Sequence, residues 1–214
     1  MTTAAPGDCA RARAVQANRL VIVTGAEGAG KSTIVRALLP HTPRGARLDA
    51  EDIGQTNPCP MDDRCFDLLR RNVAALVENY WAAGYVNVVA GSFLRGLADY
   101  VAFRQLLRPV SSVFLVELLV DRDVRDHRRI TRAKRTTQQW RDRVDLVPED
   151  RSIQRVTGPD CRYVGLDTTA LTVGETVHRV QAAVPEIYAV GASDGSATRC
   201  SPAVAAAEAP CTDP

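Results

Sequence analysis

Nine consecutive residues have the types and spacing to hold a row of phosphates: Gly25, Ala26, Glu27, Gly28, Ala29, Gly30, Lys31, Ser32 and Thr33. The first eight fit G-x-x-x-x-G-K-[ST] at each fixed position. Glycines at 25, 28 and 30 let the backbone curl and turn its N–H groups inward around phosphate oxygens. A helix starting there adds the positive end of its dipole. Lys31 has the reach for β- and γ-phosphates, and the Ser32 hydroxyl suits Mg²⁺. The context agrees: the apolar run Leu20–Val23 precedes the motif and a helical stretch, Thr33–Leu39, follows it. The pattern predicts a nucleoside triphosphate site with Mg²⁺.

Such a loop does not say what becomes of the γ-phosphate, and three further features bear on that. Asp49, Glu51 and Asp52 stand at and just past the end of a short candidate second strand, facing the region beyond the phosphates. An acid there can take a proton from an attacking hydroxyl, or hold Mg²⁺ through water; a plain surface turn with helix-capping acids is the alternative. Between Arg122 and Arg135 lie seven basic residues against two acids. Within that stretch Arg129 and Arg132 share a helix face, where guanidinium groups would neutralise charge on a transferring phosphoryl group. A solvated basic helix is the bland reading, because the chain uses arginine throughout, with 2 lysines among its 27 basic residues. Finally, the third apolar run ends Ala90-Gly91-Ser92 with no acid. That speaks against a mechanical ATPase, and without an Asn-Lys-x-Asp sequence ATP is expected over GTP.

These residues need a scaffold, and the pattern of apolar runs supplies one. Runs at 20–23, 86–90, 113–119 and 163–166 are short and nearly continuous, as in strands buried on both faces, and Arg47-Leu48-Asp49 reads as the end of a short second strand. Asp62 can cap a helix carrying Phe66, Leu69, Val73, Leu76, Val77 and Tyr80 at helical spacing, ending near Gly84. Thr172-Val-Gly-Glu175 is a capping box before Val173, Val177, Val180 and Val184. Alternating strands and helices predict an α/β three-layer sandwich with a mostly parallel sheet. Ligands bind such sheets at the carboxyl ends of the strands.

Composition bounds the rest. A chain of 214 residues, 24% charged with a formal net charge of +2, suits one folded unit. Residues 1–18 read as a disordered leader, 19–190 as the folded domain and 191–214 as a disordered tail, since neither end carries enough apolar side chains to offset ordering entropy. No stretch of about 18 apolar residues and no secretory signal is present, so a cytoplasmic protein without a membrane partner is expected. Near-neutral charge and the lack of aromatic platforms beside the basic run argue against nucleic acid. The six cysteines read as reduced thiols and His41, His127 and His178 as structural or surface residues. Trp81 reads as core, and Trp140, which follows the basic run, as a residue without a functional role in preference to a substrate cover. Oligomeric state is not legible.

With these residues in hand, the chain resembles the P-loop small-molecule kinases, the group of adenylylsulfate, shikimate and gluconate kinases, chloramphenicol phosphotransferase, zeta-toxin kinases and nucleoside monophosphate kinases. Leu48-Asp49-Ala50-Glu51-Asp52 is similar to the Leu-Asp-Gly-Asp-Asn stretch of adenylylsulfate kinases, with Ala and Glu departing from it. Arg129-Ile-Thr-Arg132 looks like the lid signature. Leu166-Asp167-Thr168-Thr169 is similar to the fifth strand and adenine-side loop, with Thr168 at the nucleotide. The resemblance covers 20–185. It implies a five-stranded parallel sheet, a helical lid over 121–145, and ATP- and Mg²⁺-dependent phosphoryl transfer to a hydroxyl or phosphate of a small molecule. In that reading Asp49 or Glu51 handles the acceptor's proton, and Arg95, after the third run, holds an anionic acceptor. An ATP-binding regulatory module without transfer, or an antibiotic-modifying phosphotransferase, are the competing readings.

Overall fold

The computed structural model describes residues 17–58, 62–109, 111–131, 137, 138, 142, 146, 150–156 and 158–189. Five strands, β1 (Arg19–Thr24), β2 (Gly45–Asp49), β3 (Asn87–Gly91), β4 (Ser112–Leu119) and β5 (Cys161–Asp167), form one sheet in the order β2-β3-β1-β4-β5. Every pairing is parallel. The expected strands are these, no end moving by more than two residues. Parallel strands need helical crossovers, so both faces are covered.

The alternation along β1 shows how the layers divide. Leu20 and Ile22 point to one face, where Val73 and Val77 of α3 (Asp63–Ala82) and Phe103 of α4 (Leu97–Arg104) close the core. Val21 and Val23 point to the other, against Val35 and Leu38 of α1 (Lys31–Leu38) and Val177 and Val180 of α6 (Val173–Ala183). Both sets on β1 are fully buried, and each such side chain contributes about 1.5–3 kcal/mol relative to exposure. The described residues also include short helices α2 (Ala50–Ile53) and α7 (Pro185–Tyr188) and the basic α5 (Arg122–Thr131).

The caps read from sequence are in place. Asp62 Oδ1 accepts from the Cys65 amide at 2.9 Å, and Thr172 and Glu175 form a complete capping box. Trp81 is core, 5% exposed. Helix α4, for which the sequence carried no expectation, begins at Gly96 with no side-chain cap. Its Leu97 amide donates instead to Ser152 Oγ, 2.8 Å away on the 3-10 turn Ser152–Arg155. That contact brings a distant segment to the carboxyl edge of the sheet. The expected tail, most of the leader, and the lid beyond Thr131 for the most part, Arg132 and Trp140 included, lie outside the described residues. Among those described, no helix is long and apolar enough to cross a membrane.

Candidate active site

The carboxyl ends of β1, β3 and β4 open onto a cavity of about 790 Å³. The glycine-rich turn between β1 and α1 forms one wall. Gly25 and Gly28 have φ of 133° and 84°, in the left-handed region that favours glycine. Close approach adds a second requirement: a Cβ on Gly25 would stand 2.6 Å from the Leu118 carbonyl oxygen, and one on Gly28 would stand 2.8 Å from that of Arg125. The turn is thus pressed between the end of β4 and α5. Gly30 caps α1 without a side-chain hydrogen bond, so no side chain competes for the first-turn amides. Lys31 Nζ folds over the turn and donates to the Gly25 and Ala26 carbonyls, both at 3.0 Å. A ring of amides with a lysine across its mouth is an anion cradle.

The acids after β2 divide. Asp49 is 6% exposed, and its Oδ1 accepts from the Glu51 amide at 3.2 Å as the cap of α2. It does not line the cavity, whereas Glu51, the second residue of α2, does. Asp52 is exposed. Of the two acids proposed from sequence to face an acceptor, the structure brings one to the cleft with Lys31.

Arg129 is on the same cleft. It is 6% exposed, ion-paired to Asp126, and packed by its methylenes against Gly28. Arg125, not singled out from sequence, lines the cavity beside it, and its Nε donates to the Val120 carbonyl at 3.1 Å. Its i, i+4 spacing from Arg129 is the sequence signal that would have found it. On the far side of the loop, a groove of about 250 Å³ runs between Ala29, Gly30, Thr33, Arg128 and Thr168. Thr168 is 3% exposed and fixed by its amide to the Leu119 carbonyl at 2.9 Å. This groove has the place and dimensions for a base or ribose leaving the phosphate cradle.

Arg95 also lines the cavity, in a tight network. Its guanidinium lies 3.9 Å from the Phe66 ring centroid. Its backbone N, Nε and Nη2 donate to the Asp99 carboxylate at 3.0, 2.8 and 3.0 Å. Arg70 Nη1 donates to the same carboxylate at 2.6 Å. Burial alone would push the Asp99 carboxyl up, but the hydrogen bonds from Arg95 and the charges of Arg95 and Arg70 hold it below its usual value. A depressed folded-state pKa stabilises above the ordinary value of 3.8 and is lost as pH falls through the lower folded value. Asp99→Asn is therefore expected to cost about 3–5 kcal/mol near neutral pH, because it leaves buried Arg70 with only the longer 3.7 Å contact to Asp67. In urea titrations the gap between the two proteins should narrow below about pH 3.8. A gap that stays constant into acid would contradict this.

Sequence reasoning missed one group altogether. Glu117, 7% exposed, stands in β4 in register with Thr24 at the threshold of the glycine-rich turn, and lines the cavity. Tyr163 Oη donates to its Oε2 at 2.6 Å, and Gln154 Nε2 donates to the same oxygen at 3.2 Å. Burial pushes the Tyr163 phenol up and the Glu117 carboxylate adds to the shift, so the phenol keeps its proton. The signal was present: Glu117 is the only charged residue in an otherwise apolar strand.

Solved structures share this architecture. A sugar kinase from Janibacter sp. HTCC2649 superposes with a TM-score of 0.58 at 18% identity, over 77% of this chain and 93% of its own. The fold is that of the P-loop kinases. The Mycobacterium tuberculosis APS kinase, solved with AMPPNP and APS, gives 0.53 at 14% identity, over 79% of this chain and 98% of its own. A gluconokinase from Sinorhizobium meliloti 1021 gives 0.52 at 12%, over 79% and 93%. No family model and no curated protein matches the sequence.

Proposed function

We propose that this chain is an ATP- and Mg²⁺-dependent phosphotransferase that moves the γ-phosphoryl group of ATP to a hydroxyl of a small molecule. The observation that carries the reading is the convergence of Lys31, Glu51 and Arg129 on one 790 Å³ cavity built on the P-loop kinase fold. The names of the structural neighbours, a sugar kinase, an APS kinase and a gluconokinase, support phosphoryl transfer to small molecules.

The amides between Gly25 and Thr33 bind the triphosphate, and the groove at Thr168 takes the base side. Glu51 accepts the acceptor's hydroxyl proton as the oxygen attacks phosphorus. The new O–P bond forms, the bond from γ-phosphorus to the bridging oxygen breaks, and ADP carries away the negative charge. Arg129 and Arg125 offset the charge on the transferring group. Ser32, on the first turn of α1, is the residue that would hold Mg²⁺, a cation that prefers hydroxyl, carboxylate and phosphate oxygens. When bound, the ion neutralises the β- and γ-oxygens.

The test is direct. The full chain is incubated with MgATP and hydroxyl-bearing candidates, ADP release is coupled to a spectrophotometric assay, and products are weighed by mass spectrometry. Acceptor-dependent ADP release with an 80-dalton mass gain, roughly one phosphoryl unit, is expected. Tight nucleotide binding without transfer to any acceptor would leave the binding-module reading.

A further inference from the structure

We infer that the acceptor is a polyol without net negative charge, and that Glu117 is the residue selecting it by taking one of its hydroxyls. The inference rests on the kinase reading above and deepens it.

Glu117 belongs to the acceptor half of the cleft. Its neighbours on β1 and the 3-10 turn, Thr24 and Gln154, lie on the α3 and α4 side of the sheet, as does Glu51 of α2. Both donors to Glu117 converge on Oε2, and among the described residues none is placed on Oε1. A mostly buried carboxylate that lines the cavity, with both of its protein donors on one oxygen, leaves the other open to a donor from a bound molecule. A hydroxyl of the substrate supplies that donor in a charge-assisted hydrogen bond.

The charge of this half points the same way. Glu51, Glu117 and Asp150 supply three carboxylates, against Arg95 and Arg151. Ser152 donors hold the Asp150 carboxyl below its usual value, so it is ionised at neutral pH. Arg95, expected from sequence to hold an anion, has committed its Nε and Nη2 to Asp99 and its face to Phe66. A sulfate, phosphate or carboxylate acceptor placed here would meet Glu117 and Glu51 at close range, with the triphosphate already at hand. Like charges in a partly desolvated cleft repel strongly. An uncharged or amine-bearing polyol meets no such repulsion.

The experiment fractionates a filtered small-molecule extract of cultured bacteria by ion exchange. Each fraction is offered to the full chain with MgATP, with myo-inositol, glucosamine and gluconate as defined probes. ADP release is expected from fractions that an anion exchanger does not retain. Release confined to the retained, anionic fraction overturns the inference and leaves the kinase reading standing. Release from no fraction, while a non-hydrolysable ATP analogue still binds, defeats phosphoryl transfer itself and the inference with it. With the active acceptor, Glu117→Gln is expected to raise acceptor KM about tenfold to a hundredfold, with ATP KM unchanged. Tyr163→Phe, which removes a support but leaves the carboxylate, should shift acceptor KM less than about threefold. An unchanged acceptor KM in Glu117→Gln, or an equal rise in Tyr163→Phe, would make Glu117 merely architectural and refute the assignment.

Discussion

Lys31→Ala is expected to lower kcat/KM about 10²–10³-fold or more, the scale for removing one preorganised positive donor from a charge-developing site. The reason lies in where the ammonium stands. Nζ spans the mouth of the turn, bonded to two carbonyls that belong to its own loop. Those bonds are replaceable by the phosphate oxygens that the loop is shaped to admit. Removing the side chain therefore deletes the charge that meets the β- and γ-phosphates, and the carbonyls it leaves belong to the loop itself. Thermal unfolding should change by no more than a few degrees, as for a substitution outside the core. Loss of transfer with a retained melting curve is the expected pair of results. Wild-type turnover in the variant would remove the central support for the proposed function. A collapsed melting curve would instead assign Lys31 a structural role that its two local bonds do not suggest.

The contrast between what the sequence made legible and what it hid follows from the range of the interactions. The phosphate loop is local: its glycines, lysine and hydroxyl are consecutive, and the strand and helix that flank it carry their own periodicities. The three central strands were equally readable, because strands buried on both faces have no polar side and appear as plain apolar runs, whereas edge strands β2 and β5 carry Arg47 and Arg162 among their residues. Caps at Asp62 and Thr172 depend on residues three apart. The acceptor side is different in kind. Glu117 meets Gln154 across 37 residues and Tyr163 across 46, and Ser152 caps a helix that starts 55 residues earlier. No window of the sequence contains such pairs. Arg95 shows the same limit from the other direction. Its place after the third strand was read correctly, but its role depends on Asp99, Arg70 and Phe66, and only Asp99 is near it in sequence. Glycine 96 adds a steric example: a Cβ there would come within 1.9 Å of Asp150 Oδ2, a constraint set entirely by a remote residue.

Glu51→Gln is expected to lower kcat about 10²–10⁴-fold, the range for loss of a general base, with little change in ATP KM. Two acids compete for this role in sequence, and their local geometry separates them. Asp49 ends a buried strand and accepts the amide of Glu51, an arrangement that fixes the first turn of α2. Its replacement by Asn keeps an acceptor at the cap, so Asp49→Asn should cost well under about 1 kcal/mol in stability through this contact, as Asn and Asp cap comparably. Glu51 reaches the cavity because that cap turns the chain at the end of β2. The glutamine variant keeps size and hydrogen-bonding capacity but cannot take a proton, so a kcat loss with preserved binding isolates the chemistry from the positioning. Measured side by side, the pair gives a sharp contrast. A large kcat loss in Glu51→Gln and a small one in Asp49→Asn assigns proton transfer to the residue on the cleft. The reverse pattern would move the base to the strand end and require the cap to open before transfer. If both variants turn over like wild type, neither acid takes the proton, and the base role passes to another group on the cleft or to the phosphoryl oxygens themselves.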